Sequence, residues 1–563
     1  MSEFFAPSAP IQQAGKFLGS SNDAVETAAS APVEKEPIAT AEANGPILPR
    51  FWRNFAFAFF AIFALLVASG MANPLLSSPD EPAQLINGSG VIRGQAGEVA
   101  IDIPLYIAET PAGTCFVASP DQNASCQKLS DPADDTLVEA GTPYSTYNPL
   151  YYVITAWPQL IWNGEFALHA MRIMSSLAVA LLIAAAFALA RVTTRSAWLP
   201  IATLSTLSPM TVFLGGAYNP SSFEIATATL AWISFTAAFQ AYRSGRSLAL
   251  QRLTTTLAAV GLSLLIPTRL LSPVWALLIL LLSIFLARIS LREFWGFVTR
   301  KFNLAAIGVI VISTVYSLWW AVSHPAVSTS GAGTFEDGVD QTIRGALIDF
   351  GTFMWPSAFG SLGWLDTLVS WAPYVFTATW VALVTVALVH NRSARRRYTL
   401  LAVILLTILV PAAFEGFFWN GDGWQGRYTL PFALGIPLLA GYVLSRAKET
   451  SPGWRRALGI RWVPFVWGAT NLLAFWVSYH RYAIGMNQAW NPIYFKWEPE
   501  VLGGVFWIVV EVIATVALVV WALRAYDKKG PLEETVDPVT VDPVTTDPVT
   551  VDPKPVNRES VAN

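Results

Sequence analysis

The sequence predicts an all-α integral membrane protein with about twelve transmembrane helices. Of its 563 residues, 54% are hydrophobic and only 13% are charged, whereas about 25% of the residues in a soluble domain are usually charged. Long apolar segments recur along the chain, and each is long enough to cross a hydrocarbon core of about 30 Å. Lysine and arginine follow every second segment, as in the cytoplasmic loops of multi-spanning proteins. This composition excludes a soluble enzyme.

The first apolar segment sets the orientation of the chain. Residues 1–49 are rich in Ala, Pro, Glu and Ser without apolar periodicity, which predicts a disordered arm. This arm lacks the features of a removable signal peptide, so the first span is expected to remain as an anchor. Arg50 and Arg53 precede that span. Because lysine and arginine prefer the cytoplasmic side, the N-terminus is predicted inside and the segment after the span outside.

The remaining apolar segments are predicted to cross the membrane in alternating directions. Both termini are therefore expected in the cytoplasm, flanking a membrane domain that covers residues 50–525. The tail, 526–563, repeats a Val-Asp-Pro-Val-Thr unit and is expected to be an extended, disordered cytoplasmic segment. The twelve predicted spans are 55–71, 168–190, 197–217, 221–241, 253–268, 272–287, 302–322, 369–389, 399–414, 428–445, 462–480 and 501–523.

Four connecting segments are predicted outside the membrane, at about 74–165, 323–368, 415–427 and 481–500. The first is acidic and far longer than loops without a function usually are. It contains both cysteines of the chain, Cys115 and Cys126. A disulfide between them is possible in an exported loop, and the alternative is two free thiols.

The main candidate for chemistry is the pair of adjacent carboxylates Asp80 and Glu81, which follows the first span. Pro79 and Pro82 flank the pair and restrict the backbone on both sides. Such a pair can act as a general base that deprotonates a hydroxyl, or it can hold a divalent metal ion. The alternative is an ordinary helix exit, where proline and aspartate are common.

Four more charged residues are predicted at the same outer rim, namely Arg172, Glu224, Arg269 and Arg427. Charges within spans are costly, which makes each a functional candidate. Arginine suits a phosphate group, because its planar guanidinium donates two parallel hydrogen bonds to phosphate oxygens. Alternatively, these residues pair with one another to hold helices together, for instance Arg172 with Glu224. A carboxylate base, arginines and aromatic rings at one face are what sugar transfer from a lipid phosphate requires.

Four short motifs occur in order along the membrane domain. They are Ser78-Pro79-Asp80-Glu81-Pro82-Ala83, Tyr147-Asn148-Pro149-Leu150-Tyr151-Tyr152, Gly360-Ser361-Leu362-Gly363-Trp364-Leu365-Asp366 and Gly426-Arg427-Tyr428-Thr429-Leu430-Pro431. Together they resemble the signature blocks of a bacterial multi-spanning membrane family, domain of unknown function 2142. That family is in turn similar to the C-type-fold glycosyltransferases, which use polyprenyl-phosphate sugars and carry an acidic pair in the first external loop. The resemblance implies that Asp80 and Glu81 are this pair and that Arg427 contacts the donor phosphate.

Two positions depart from the family pattern. The family usually has a histidine shortly after the acidic pair, where this chain has Gln84. It often has an acid after an Asn-Pro step, where this chain has Ser221, which leaves Glu224 as a substitute. A histidine-assisted role near the acids is therefore not expected.

We accordingly expect a bacterial cytoplasmic-membrane glycosyltransferase that transfers a sugar from a polyprenyl-phosphate donor to an envelope glycan or lipid. Its partners would be these substrates and membrane lipids, without nucleic acid, and a divalent metal is a possible cofactor. The alternatives are a transporter or flippase of a lipid-linked glycan, or a noncatalytic envelope scaffold. The charges gather at one face and the mid-span regions are nearly without them, which argues against transport. The expected site comprises Asp80 and Glu81 as catalytic residues, Arg427, Arg172 and Arg269 at the donor phosphate, and Glu224, Tyr147 and Trp424 at the substrate.

Overall fold

The computed structural model describes residues 47–129, 135–194, 196–325, 339–418, 424–446, 462–488 and 495–527. Helices dominate these ranges, which confirms the predicted helical class. The two predicted tails, apart from a few residues at their membrane ends, lie outside these ranges, as do parts of all four segments that are predicted to be external, residue 195 and residues 447–461.

The helices up to the middle of the chain are α1 (Ile47–Met71), α2 (Glu81–Ile92), α3 (Leu105–Ala108), α4 (Leu150–Thr155), α5 (Gly164–Thr193), α6 (Trp198–Leu204), α7 (Pro209–Gly216), α8 (Pro220–Arg243), α9 (Leu248–Leu265) and α10 (Ser272–Ala287). Those that follow are α11 (Leu291–Val298), α12 (Lys301–Ser323), α13 (Val339–Asp349), α14 (Trp355–Gly360), α15 (Ala372–His390), α16 (Ala394–Phe418), α17 (Gly426–Ala433), α18 (Gly435–Ser445), α19 (Trp462–Ala483) and α20 (Gly503–Asp527).

Each predicted span coincides with one of these helices or with two in succession. The third span is the pair α6 and α7, which meet at a bend of 57°. By length and apolar composition, nine of the helices in the described ranges could cross a membrane, or up to eleven if each of two bent pairs is one span. The eleventh predicted span, α19, is not among them, so the number twelve stays a prediction.

Burial separates inner from outer helices. The most apolar part of α8 is 100% buried, whereas that of α12 is only 6% buried and turns apolar side chains outward. A helix that is apolar and exposed suits a lipid environment. Glycines allow close packing near the outer end of α1, because a Cβ atom at Gly70 would overlap the carbonyl of Gly216 at the end of α7. The two backbones can therefore touch.

The segment after α1 that is predicted to be external folds against the helix ends. Strands β1 (Ala100–Pro104) and β2 (Leu137–Gly141) pair antiparallel, with Ala100 opposite Gly141. Cys115 and Cys126 form a disulfide, so the possible bond is present. Buried Arg481 of α19 donates hydrogen bonds to the carbonyl oxygens of Phe116 and Gln122 in this segment. These contacts fix the segment to the membrane helices.

The third sequence motif also anchors this region. It forms the turn between two short strands, β3 (Ser361–Leu362) and β4 (Thr367–Leu368). The indole nitrogen of Trp364 donates to the carbonyl oxygen of Leu76, and Asp366 pairs with Arg481 at 2.9 Å. The motif therefore has a structural role, since it holds the chain just before the acidic pair.

Candidate functional site

Asp80 occupies an unusual backbone position immediately before α2. Its φ of 65° and ψ of 0° lie in the left-handed region, which aspartate tolerates better than most residues. Its side chain does not cap α2. The neighbouring carbonyl oxygen of Pro79 accepts a hydrogen bond from the side-chain amide of Asn219 at 3.0 Å. The turn is thus held in place while the Asp80 carboxylate points elsewhere.

The Asp80 carboxylate contacts Arg427. Nη2 of Arg427 lies 2.5 Å from Oδ2 of Asp80; the arginine is 1% exposed and the aspartate 27%. The side chain of Tyr144, in the segment that is predicted to be external, lies near Asp80 and interacts with it electrostatically. Burial, followed by the nearby Asp80 carboxylate, raises the pKa of Tyr144 well above its usual value. Tyr144 therefore keeps its proton beside Asp80.

Arg427 is placed by the close packing of α17 on α14. A Cβ atom at Gly426 would overlap the carbonyl of Met354 and the amide nitrogen of Ala358, so only glycine fits there. The amide of Gly426 donates to the hydroxyl of Ser357 at 2.9 Å. The first turn of α17 is therefore rigid, and Arg427 projects from it towards Asp80.

A second arginine lies beside the first, across a tyrosine ring. The guanidinium carbons of Arg269 and Arg427 lie 4.4 and 5.1 Å from the centre of the Tyr428 ring. Arg269 also donates to the hydroxyls of Ser221 and Tyr147, at 2.7 and 3.1 Å. Arg269, Arg427 and the tyrosines between them form a positive cluster next to the partly exposed Asp80 carboxylate, and this cluster is called the recess below.

The guanidinium of Arg427 is only partly used. Its Nη2 contacts Asp80 and the hydroxyl of Tyr428, but Nε and Nη1 are buried without a hydrogen-bond partner among the described residues. A buried charged donor without an acceptor is costly and rare in native structures. An incoming anion would satisfy these nitrogens. This favours the predicted donor-phosphate role of Arg427.

Glu81 has different surroundings. It is 0% exposed, and its two oxygens accept from Nε and Nη2 of Arg172 at 2.6 and 2.7 Å. The backbone amides of Ser78 and Tyr218 also donate to it. An acceptor hydroxyl therefore cannot reach Glu81 in this arrangement. Its contacts favour a structural role over the expected catalytic one.

The structure corrects the expected role of Arg172. Besides Glu81, its Nη1 donates to the carbonyl oxygens of Gly70 and Asn73, and its Nη2 donates to that of Pro74 and to the hydroxyl of Ser77. All five N–H groups of a guanidinium are thereby engaged. No donor remains for a phosphate. The suggested alternative, a pair with Glu224, is also wrong, because its partner is Glu81.

The three expected substrate-binding residues have different surroundings in the structure. Tyr147 is half-buried and belongs to the recess through Arg269. Glu224 is buried, accepts from the hydroxyl of Ser272 at 2.7 Å and lies near enough to Arg269 to interact with it electrostatically. Trp424 is 0% exposed, and its indole donates to Thr429. Because both ring faces of Trp424 are covered, its expected role as a sugar platform is not supported.

Sequence reasoning missed two residues of the site and one buried acid. Tyr428 directly follows Arg427, so the motif contained it, but the sequence gave no sign that Tyr144 would reach Asp80. Glu511 lies midway along α20 and is 0% exposed. Glu511 is therefore an exception to the expectation that mid-span regions are nearly free of charged groups, and its position is visible in the sequence.

No metal centre accompanies the acidic pair. Among the residues that the structure describes, no three His, Cys, Asp or Glu side chains are grouped so that they could hold a metal ion. Both carboxylates of the pair face guanidinium groups. A divalent cation beside them would meet positive charge, so the donor set does not fit the possible metal.

Comparison with known proteins places the chain in a family. The family model described as "Predicted membrane protein (DUF2142)" matches residues 62–436, about two thirds of the sequence. The chain belongs to this family of membrane proteins. The matched range contains Asp80, Arg269 and Arg427, and therefore the whole recess. A search of curated proteins found no match.

Two solved structures are similar at low identity. They are crystal structures of ArnT from Cupriavidus metallidurans, one bound to undecaprenyl phosphate and one in the apo state. Both are 16% identical to this chain with a TM-score of 0.40. The first alignment covers 83% of this chain and 76% of ArnT, and the second covers 84% and 74%. This likeness is too distant to transfer a function.

Proposed function

We propose that this family member is a membrane glycosyltransferase. It would transfer a sugar from a polyprenyl-phosphate donor to a hydroxyl of an envelope glycan or lipid, at the outer face of the bacterial cytoplasmic membrane. The observation that carries the proposal is the buried Arg427, which pairs with the partly exposed Asp80 yet has two nitrogens without partners among the described residues. A base and an anion-binding group thus lie in contact.

Arg427 and Arg269 would bind the donor phosphate. A phosphate offers several acceptor oxygens, and hydrogen bonds between two charged groups are stronger than neutral ones. Nε and Nη1 of Arg427 would gain partners, and Arg269 would supply a second positive charge across Tyr428. The two arginines would also stabilise the leaving lipid phosphate, whose negative charge increases as the sugar departs.

The position of the recess suits a lipid donor. Arg269 lies in the short link between α9 and α10, and Arg427 lies in the first turn of α17, both at the ends of membrane helices. Leu270, next to Arg269, is 74% exposed. A polyprenyl chain could therefore contact apolar surface beside the link while its phosphate enters the recess.

Asp80 would act as the general base. Its carboxylate would take the proton of the acceptor hydroxyl as the acceptor oxygen bonds to the anomeric carbon. The bond between that carbon and the phosphate oxygen breaks, and the lipid phosphate leaves with the electron pair. A hydrogen bond from Tyr144 would orient the carboxylate towards the acceptor. Phosphate binding at Arg427 would compete with Asp80 for the guanidinium and so release the base.

A transporter or flippase of a lipid-linked glycan remains the main rival. It could use the same arginines, and the buried Glu511 in α20 is the observation that would support it. However, the transferase alone requires a base beside the phosphate, which Asp80 provides. A noncatalytic scaffold would not require the orphaned nitrogens of Arg427.

The test is a product assay with purified protein in lipid nanodiscs. The protein is incubated with a panel of polyprenyl-phosphate sugars and envelope glycan and lipid acceptors, and products are detected by mass. The proposal expects acceptor mass to rise by one sugar residue, with release of polyprenyl phosphate in equal amount. Movement of intact donor across proteoliposomes without any product would instead identify a transporter. Neither product nor movement across the whole panel would favour the scaffold.

A further inference from the structure

The middle of α20 contains a carboxyl group that the proposed transfer does not use. Glu511 is 0% exposed, and neither of its side-chain oxygens has a hydrogen-bond partner among the described residues. It lies eight residues into the helix from Gly503, or about 12 Å at the helical rise. This depth places it well inside the membrane, away from the outer recess.

Two other buried oxygens lack partners at the same level. Thr515, one turn along from Glu511 on the same face, has an unpartnered hydroxyl. A Cβ atom at Gly468 of α19 would lie 3.3 Å from the Thr515 methyl, and one at Gly504 would meet Tyr479, so α19 and α20 pack antiparallel. One turn outward from Gly468 on α19 is Asn471. It therefore lies level with the turn between Thr515 and Glu511.

Asn471 is held by the broken helix beside it. Its Nδ2 donates to the carbonyl oxygens of Trp467 and Leu207, at 3.0 and 3.3 Å. Leu207 lies in the bend between α6 and α7, and Trp467 also donates to its carbonyl. With the amide nitrogen fixed in this way, Oδ1 of Asn471 faces away from Leu207 and is buried without a partner in the described part of the chain.

The helices that pack most extensively against α20 offer no positive charge near Glu511. The sequence has no Lys, Arg or His in α6, in residues 54–71 of α1 or in residues 462–478 of α19. Arg191 of α5 also contacts α20, but it donates to the carbonyl oxygen of Trp521, which is about 15 Å along the helix from Glu511. An isolated carboxylate inside a membrane is strongly unfavourable. Glu511 must therefore be neutralised either by a proton or by a cation that the protein itself does not supply.

We propose that Glu511, Thr515 and Asn471 form a mid-membrane binding site for a small monovalent cation, with Na⁺ as the ligand. The set consists of oxygen atoms, which hard cations prefer. One carboxylate neutralises one positive charge, whereas a divalent ion would leave an excess charge in a low-dielectric environment. Broken helices at membrane depth are a usual setting for such sites. The site does not depend on the proposed transferase activity.

The test measures thermal unfolding of the full-length protein by tryptophan fluorescence in NaCl, KCl and choline chloride at equal ionic strength. A ligand that binds only the folded state raises its stability, so NaCl should raise the wild-type midpoint over choline chloride by about 2 °C or more. KCl should give a smaller rise. E511Q, which keeps the shape of the side chain without its charge, should abolish the Na⁺-dependent rise, and T515V should reduce it.

T407V is the matched control. Thr407 is also a buried threonine within a helix, but its hydroxyl donates to the carbonyl oxygen of Val403 at 2.7 Å, so its removal should leave the Na⁺ effect intact. Equal midpoints of the wild type in NaCl and choline chloride would overturn the proposal and leave a proton as the neutralising cation. A Na⁺ effect that persists in folded E511Q would also overturn it. If E511Q does not fold, T515V against T407V decides.

Discussion

Asp80 and Glu81 are adjacent carboxylates that each pair with a buried arginine, yet the two pairs differ in completeness. Glu81 and Arg172 are 0% and 2% exposed, and every N–H group of Arg172 has an acceptor. Asp80 is 27% exposed, and Arg427 keeps two nitrogens without a partner in the described residues. The Glu81–Arg172 pair therefore has no free donor with which to bind a ligand. An incomplete pair at a solvent-facing edge is suited to a ligand.

The difference arises from the backbone on both sides. Arg172 lies against the carboxyl end of α1, where Gly70, Asn73 and Pro74 present carbonyl oxygens that the helix itself does not use. Arg427 instead begins α17, where the backbone presents amide groups rather than carbonyls. The left-handed turn at Asp80 directs one carboxylate to each arginine. Position along a helix thus decides which arginine is satisfied internally.

The largest effect is expected from Asp80→Asn. Asparagine keeps an acceptor oxygen for Arg427 but cannot take the acceptor proton, so turnover should fall by about 10²- to 10⁴-fold. Donor binding and the unfolding midpoint should change little. Turnover is measured by product mass, and donor affinity by displacement of a fluorescent lipid phosphate. Near-normal turnover in the folded variant would show that Asp80 is only a helix exit.

Glu81→Gln should act on stability instead. The two Glu81 oxygens accept from four N–H groups. In glutamine, an NH₂ group replaces one of these oxygens, so its N–H donors would face other N–H donors. Breaking a buried ion pair in this way costs about 3–5 kcal/mol of the free energy of unfolding. Chemical unfolding in detergent measures it.

The matched control for Glu81 is Glu293→Gln at the opposite end of the helices. The Glu293–Arg243 pair is 3.8 Å long with both side chains about 40% exposed, and such surface pairs contribute at most about 1 kcal/mol. If the Glu81→Gln protein were stable but inactive, the roles of the two carboxylates would be exchanged, and Glu81 rather than Asp80 would be the base.

Much of the helical fold could be predicted from the sequence. Apolar length and the alternation of arginines depend only on local sequence, and the twelve predicted segments all coincide with helices. The break between α6 and α7 was not predicted, although Ser208 and Pro209, which cap and begin α7, are the usual sequence signal of a helix start. Trp467 and Asn471 donate to the carbonyl oxygen of Leu207 at this break, which only the structure shows. Nor did the sequence predict α2, whose buried polar residues conceal the apolar face that usually identifies a helix.

The site could be predicted only in part. The predicted topology placed Asp80, Arg269 and Arg427 at the same end of the membrane helices, and the motifs identified the acidic pair. The different roles of Asp80 and Glu81 could not be predicted from the sequence, because they depend on which arginine pairs with each carboxylate. These partners are distant in the sequence: Arg172 is 91 residues from Glu81, and Arg427 is 347 residues from Asp80. Nor could the sequence show that Trp424 and Arg172, both expected in the site, are buried and bonded to other residues.

Arg427→Ala should weaken donor binding. Hydrogen bonds to charged groups contribute about 1.5–3 kcal/mol, so the affinity for a polyprenyl phosphate should fall by about 10- to 100-fold. Turnover at saturating donor should fall less. Arg395→Ala, which removes an exposed arginine at the other end of the helices, should change neither quantity. An unchanged donor affinity in Arg427→Ala would mean that its free nitrogens serve another purpose.

The smallest effect is expected from Tyr144→Phe, which tests whether Asp80 needs an orienting partner. The substitution removes the hydroxyl that lies near Asp80 and keeps the ring that packs against Tyr147 at 4.9 Å. A hydrogen bond between the two groups would contribute about 0.5–1.5 kcal/mol, so turnover should fall about three- to tenfold. Donor affinity should be unchanged, because Tyr144 contacts the base and not Arg427. The same change at Tyr374, whose ring is 77% exposed, should have no effect. If Tyr144→Phe instead lowered donor affinity and left turnover at saturation intact, Tyr144 would belong to the phosphate-binding groups of the recess. Asp80 would then not depend on Tyr144 for its orientation.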